Sequence, residues 1–509
     1  MAKWRFYGRR KALAELEDCL GLRRPAARAL SVVKIVGRRG VGKNALLEET
    51  ARRGAQGVPV VICELPSPDK GAAAACRVLA LAAEAAGQGE ALRNLGQRSP
   101  YHDDQSWFAH IVACLLMEGA VVALDEFHHA KGLGMEGDIK RMIDRFKSIY
   151  EPKPPGELIL MGSHQQQMLS MFRCNQPLHG RAWDTVRLRQ WGVRTALEMA
   201  AEHGFLAFPR RFLTLWTAYG GMPNHWERFA SSQRERWRQL RDFDAWSDEA
   251  AWRAAFVKAQ REQLDDEPAD RYDNRSFVEL AEPHREVLMH LARGRRRGYT
   301  VREFPQRMRR RDDPSLKRSL EVLSNHLELI EESHDFHGPN GRWRIADNNT
   351  RFQITLTGGR TAGMARGRRG RLDRTALQRL KTHEGAALEK LTAGWLGTSP
   401  DVDWNGQGVW QAGRADIDTL AYSGKGAERT LLVAGCKRNA GRHQPERLKL
   451  QFEELLEAAG ESEEVLEIRR MPRRLLLVSP EFTTATFPDG IRDMALQLGI
   501  DPGPLAPNT

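Results

Sequence analysis

Two stretches carry residue types at spacings that fit chemistry. In "VGRRGVGKNALLEE", residues 36–49, Gly37, Gly42 and Lys43 stand at G-x-x-x-x-G-K spacing behind the β-branched run "SVVKIV". Such a loop turns the backbone N–H groups of Arg38, Arg39, Gly40, Val41, Gly42, Lys43, Asn44 and Ala45 toward phosphates at a helix N-terminus, and the lysine adds charge. Further along, "VVALDEF" ends an apolar strand in Asp125 and Glu126. An Asp at a strand tip can hold Mg²⁺ through water, and a neighbouring Glu can polarise the attacking water. The alternative is that both merely cap the following helix. "LILMGS" then offers Ser163 at another strand end, as a γ-phosphate-sensing group or as a turn residue. Loop and acidic tip, in this order, predict a nucleoside triphosphate site with ATP and Mg²⁺ as cofactors.

One letter departs from the pattern. Asn44 occupies the position where Ser or Thr usually gives Mg²⁺ a hydroxyl. Its amide oxygen is a permissible ligand, but it is neutral and reaches further than a hydroxyl, which strains the small octahedron Mg²⁺ demands. The expectation is ATP binding with slow hydrolysis, Asn44 and Asp125 being the metal ligands and Lys43 and Glu126 the catalytic pair.

The elements that must position these groups are legible as alternating strands and helices over residues 1–190. Strand candidates are 31–36, 58–65, 119–127 and 156–163, separated by helical patterns at 70–87, 104–118 and 137–149. This alternation predicts a parallel α/β sheet. From 191 to 275 strand signals vanish and the text is helical. Residues 276–350 read as helix, helix, helix and hairpin, the order of a winged helix. A basic linker spans 351–380, and 381–509 runs helix, strands, helix, strand, helix.

Several motifs in order resemble the archaeal-type P-loop ATPases, relatives of the AAA+ and STAND NTPases. "RFYGRRKALAELE" is similar to that family's F-x-G-R-x-x-E-L-x-x-L opening, with Ala12 where Glu is usual. "PLHGRAWDTVRL" resembles its P-L-Y-G-R segment, and "YGGMP" its G-G-x-P motif in a helical lid. The resemblance implies a nucleotide-responsive ATPase with a lid over 191–275, and makes Arg181 a candidate phosphate-sensing arginine. A surface ion pair is the plainer role for Arg181.

Residues 381–480 echo the same family's C-terminal domain, which looks like the PD-(D/E)xK nuclease fold. "HEGAALEKLTAGWL" supplies Glu389, "GRADIDTLAYSG" supplies Asp416 and Asp418, and "TLLVAGCKRN" ends near Lys437. That chemistry needs two carboxylates around a divalent ion and a lysine beside the water. The expected E-x-K is here Gly435-Cys436-Lys437, so the central acid is missing and the lobe is read as degenerate. "HEGAA" begins like a zinc-binding H-E-x-x-H, but Ala387 replaces the second histidine, which excludes that chemistry.

The chain of 509 residues carries a formal charge of +12, and the charge is localised. Residues 293–318 hold 11 basic and 3 acidic groups, and residues 358–374 hold 6 basic and 1 acidic, so the remainder is close to neutral. Confined basicity predicts a polyanion met at one place, and DNA is the expected partner of 293–318. Six cysteines without a C-x-x-C pair suit a reducing, cytoplasmic setting. The N-terminus lacks an apolar signal core, the alanine-rich stretch after Gly71 carries Arg77 and Glu84, and no membrane contact is expected. An oligomer is compatible with all of this. The leading expectation is an ATP-driven switch contacting DNA. The alternatives are an ATP-gated metal-dependent nuclease, and a non-catalytic nucleotide-binding scaffold.

Overall fold

A computed structural model describes residues 5–20, 30, 32–54, 58–94, 103–148, 156–163, 165–182, 184–266, 280, 282–293, 298–304, 315–334, 341–357, 374–398, 402–412, 415–424, 429–437, 444–480 and 491–503. The chain forms two compact units, Gly8–Gln190 and a second made of Met1–Tyr7 with Trp191–Thr509. The chain therefore passes between them twice.

In the first unit, helices α1 (Arg10–Cys19), α2 (Lys43–Gly54), α3 (Gly71–Ala85), α4 (Gly89–Asn94), α5 (Asp104–Met117), α6 (His129–Gly132), α7 (Glu136–Ser148) and α8 (Gln165–Met171) alternate with five strands. These are β1 (Val32–Val36), β2 (Val60–Glu64), β3 (Val121–Asp125), β4 (Glu157–Gly162) and β5 (Asp184–Arg187), in the order β2-β3-β4-β1-β5. All neighbouring pairs are parallel. Strands β3 and β4 are buried along their whole length, as a sheet covered on both faces requires. Their apolar side chains, with Phe108, Leu115 and Phe127, make one core. Because β4 lies between β1 and β3, the strand ends carrying the glycine loop, Ser163 and Asp125 fall side by side.

The second unit begins with a helical group: α9 (Val193–Glu202), α10 (Pro209–Tyr219), α11 (Pro223–Ser231), α12 (Glu235–Arg241) and α13 (Glu249–Asp266). Fully buried Phe212, Trp226, Phe229, Trp252 and Phe256 interlock at its centre. Its "YGGMP" segment is a corner. Gly220 leaves α10 at φ 54°, a conformation that favours glycine, and Pro223 starts α11 where its missing N–H costs nothing.

Next come α14 (Glu282–Arg293), a 3-10 turn at Val301–Glu303, α15 (Ser315–Glu321) and the antiparallel hairpin β6 (Ile330–His334) and β7 (Gly341–Ile345). α15 continues as a π-helical turn over Val322–His326, and Tyr299 bridges Trp343 as a third extended position. Of the second helix expected here, only the 3-10 turn falls among the described residues. The arginines at 295–297 and 307–311 and the linker 358–373 lie outside the described residues.

α16 (Asn348–Thr357) and the long α17 (Arg374–Leu396) lead to a sheet of β8 (Val402–Ala412), β9 (Ala415–Ser423), β10 (Thr430–Cys436) and β11 (Arg473–Val478), in the order β11-β10-β9-β8. α17 covers one face through Leu388, Leu391 and Trp395, which share a core with Leu432, Ala434 and Cys436. The other face, Leu431 and Val433, packs on Leu448 and Phe452 of α18 (Gln444–Ala458). α19 (Glu463–Arg470) and α20 (Ile491–Gln497) complete the unit.

Candidate nucleotide site

The glycine loop joins the tip of β1 to the start of α2, and its glycines are there for two different reasons. Gly40 and Gly42 take φ of 75° and 93°, a region costly for residues with a Cβ. Gly37 is needed for closeness, since a Cβ there would stand 2.8 Å from the Leu188 carbonyl oxygen and 2.9 Å from Val41 Cγ1. The turn is closed by Val41 N–H donating to the Arg38 carbonyl at 3.3 Å. α2 then begins at once, with Leu46 N–H bonded to Gly42 O at 3.0 Å. The first N–H groups of α2 have no partner within their own helix, so this end attracts an anion.

Lys43 is buried, and its Nζ lies 3.2 Å from Gly37 O and 3.5 Å from Arg38 O. The ammonium thus closes the loop on itself. Arg38 and Val41 are buried, whereas Arg39, Asn44 and Ala45 are exposed. One contributor went unassigned in the sequence although its motif is visible there: Arg9, in "FYGRR". Its guanidinium donates to Val41 O at 2.6 Å, and burial lowers its pKa to about 10.

Across the sheet, Asp125 ends β3, buried, and its Oδ1 accepts the Glu126 N–H at 2.9 Å. Glu126 itself stands at φ 50°, outside the strand conformation, so its side chain is turned aside. There it accepts from Ser163 Oγ at 2.9 and 2.8 Å and from Ser163 N–H at 3.2 Å. Burial pushes the Glu126 carboxyl up, but the Lys43 ammonium, Ser163 and His128 outweigh it, and the net shift is downward. Lys43, Glu126 and Ser163 therefore form one electrostatic group. The capping role for Glu126 does not describe these contacts.

Arg181 belongs to a different group. Its Nε and Nη2 donate to the two carboxylate oxygens of Asp144 on α7 at 2.9 and 3.1 Å, and a third bond at 2.6 Å goes to His179 O. The hydrogen bonds from Arg181 hold Asp144 at about 2, well below the usual carboxylate range. This is the surface-pair arrangement.

The C-terminal residues are partly brought together. Asp418 Oδ2 accepts the Cys436 N–H at 2.7 Å and lies 3.7 Å from Lys437 Nζ. Burial, then the charges of Asp418 and Glu389, push the Cys436 thiol far up, which places both carboxylates beside it. Asp416 sits in β9 opposite Gln411, and its side chain is outside the described residues. At Gly435 a Cβ would point at Leu448 Cδ1, 2.8 Å away, so the place of the missing acid faces the apolar contact with α18. Among the described residues no three His, Cys, Asp or Glu side chains converge as metal donors. Glu384, from the rejected zinc-like motif, is wholly buried and accepts from Arg253 Nε at 2.9 Å and Thr214 Oγ1 at 2.6 Å.

No protein-family model and no curated protein matches the chain. Solved structures do, as archaeal Walker-type and replication-origin ATPases. A Walker-type ATPase of Pyrococcus abyssi is similar over 69% of this chain and 97% of its own, at 16% identity and a TM-score of 0.46. The ORC2 protein of Aeropyrum pernix in ADPNP–ADP complexes covers 71% and 96%, at 14% identity and TM-score 0.44. The ORC1 protein of Aeropyrum pernix in complex with DNA covers 70% and 94%, at 12% identity and TM-score 0.32. The five-strand parallel sheet behind a glycine loop is consistent with a P-loop ATPase fold. No helix among the described residues is long and apolar enough to cross a membrane.

Proposed function

We propose that the chain is an ATP-binding P-loop ATPase that works as a nucleotide-driven switch and contacts DNA. The observation that carries the reading is the grouping of Lys43, Glu126 and Ser163, with the lysine close enough to lower the glutamate's pKa. A triphosphate bound by the loop would draw Lys43 from the Gly37 and Arg38 carbonyls to its own oxygens, and Glu126 would orient the water. Asn44 at the first turn of α2 and Asp125 at the tip of β3 are the oxygen donors for Mg²⁺, which needs only one or two from the protein. When bound, that ion would neutralise charge on the phosphate oxygens. The neutral amide of Asn44 makes this a slow hydrolase.

The DNA contact is assigned to 282–345, read as a winged helix. The order of α14, the bridged Tyr299, α15 and the β6–β7 hairpin supports it, as do exposed Lys317, Arg318 and Asn325 on the α15 segment. The C-terminal lobe has the succession helix, three strands, helix, strand expected of a nuclease-like fold. The Lys437–Asp418 pair and apolar packing at Gly435 support a lobe that no longer cuts.

The test is ATP binding by calorimetry and hydrolysis with and without duplex DNA, for wild type and Lys43→Ala, with DNA integrity followed in the same tubes. The reading expects binding lost in the variant and DNA-sensitive hydrolysis without cleavage. Wild-type protein that gives no heat with ATP refutes it, and cleavage selects the effector reading.

A further inference from the structure

Glu126 has a second holder besides Ser163. After β3 the chain turns tightly, with His129 N–H bonded to Glu126 O at 2.9 Å and Phe127 N–H bonded to Met161 O of β4 at 2.8 Å. That turn returns His128 toward the residue two before it. His128 Nδ1 stands 3.3 Å from Glu126 Oε2, and its side chain is 6% exposed. Its ring is braced by the His129 ring, 4.3 Å between centroids, and His129 Nδ1 is itself 3.0 Å from the Leu65 carbonyl. The imidazole is thus fixed from β2 and aimed at the carboxylate.

A carboxylate offers about four acceptor directions. Here Ser163 Oγ, Ser163 N–H and His128 occupy most of them, on a residue whose φ of 50° already turns it off the strand axis. A glutamate held by several donors is both displaced and a weaker base toward water. We propose that His128 is a positioning residue which, together with Ser163, clamps Glu126 back, so that ATP can be held without rapid turnover. This rests on the ATPase reading and names the restraint built into that site. The asparagine and the clamp would then act in the same direction through different atoms.

The experiment is single-turnover hydrolysis, protein in excess over labelled ATP, for wild type, His128→Ala, His128→Asn and Ser163→Ala, with ATP affinity measured on each sample. Loss of one hydrogen bond to a charged group should raise the His128→Ala rate about tenfold with ATP affinity within about twofold of wild type. His128→Asn, which keeps a side-chain N–H donor, should restore the wild-type rate, a recovery that a packing role would not produce. Ser163→Ala should also be faster. A His128→Ala rate at or below wild type, with ATP still bound, overturns the clamp. If His128→Ala fails to fold, Ser163→Ala decides, and a slower rate there overturns it equally. Absence of ATP binding by wild type instead defeats the nucleotide reading, and calorimetry shows this before any rate is measured.

Discussion

Replacing Arg253 by Met tests whether the helical group and the C-terminal lobe stand or fall together. Arg253 on α13 has a side chain 5% exposed, and its partner Glu384 on α17 is fully buried. Glu384 is shared with Thr214 of α10, while Arg253 also pairs with Glu249, which Arg210 meets at 3.1 Å. Three helices from distant parts of the sequence therefore meet at one carboxylate. Met keeps most of the apolar stem and removes the charge, leaving Glu384 in the core with the Thr214 hydroxyl as its main donor. Breaking a buried pair from one side costs about 3–5 kcal/mol. A chain of several segments need not unfold in one step, so the measurement is hydrogen exchange by segment. Peptides from α10, α13 and α17 should all exchange roughly a hundredfold to a few thousandfold faster in Arg253→Met. The double variant Arg253→Met/Glu384→Leu should recover most of the protection, because an apolar pair replaces a buried ion pair at little cost. Undiminished protection in α17, or a loss below about 1 kcal/mol throughout, would refute the reasoning.

Three further outcomes follow from single contacts. Arg9→Ala removes the donor to Val41 O and should weaken ATP binding roughly tenfold by calorimetry, the scale of a hydrogen bond from a charged group; unchanged affinity removes Arg9 from the site. Asn44→Thr supplies the missing hydroxyl at the exposed first turn of α2 and should raise the hydrolysis rate; equal rates mean that Asn44 is not what slows turnover. At Gly298, φ is 80° and a Cβ would lie 2.2 Å from the Trp343 carbonyl oxygen. Gly298→Ala should therefore cost more than about 2 kcal/mol and lower the melting temperature, and a neutral substitution would contradict the Tyr299–Trp343 bridge.

Most of the first unit was legible because its strands are short β-branched runs bounded by glycine or charge, and the loop's spacing speaks for itself. β5 was not, since only Val186 of its four residues is buried and an edge strand needs no apolar run. Arg181 and Glu384 show a second limit. Motif position suggested a phosphate sensor for one and half a zinc site for the other, yet their partners lie 37 and 131 residues away. Ion pairs at such separations leave no periodic trace. His128 and Arg9 were hidden differently, in plain view beside recognised motifs, because their contacts depend on left-handed backbone at Glu126 and at Arg9 itself. Gly435 was legible as a loss, and the structure adds that its neighbour across the gap is a leucine.

The same contacts bear on how a nucleotide could move anything. A lid closing by itself would have to shear its helices against the rest of the second unit. Asn348 and Asn349 oppose this by bonding the Trp216 and Ala218 carbonyls of α10 at 3.0 and 2.9 Å, as does the buried Arg253–Glu384 pair. On the switch reading, the mobile body is then the whole second unit, and the chain crosses into it only at Tyr7 and Trp191. Both crossings start from the loop. Arg9, two residues after Tyr7, donates to Val41 O, and Leu188, three before Trp191, bonds Val36 O at 2.8 Å and touches Gly37. Reversing a 1:99 population to 99:1 takes about 5.5 kcal/mol of differential binding. A phosphate that draws Lys43 off the Gly37 and Arg38 carbonyls acts on those same few residues, so the loop is where that difference has to be generated.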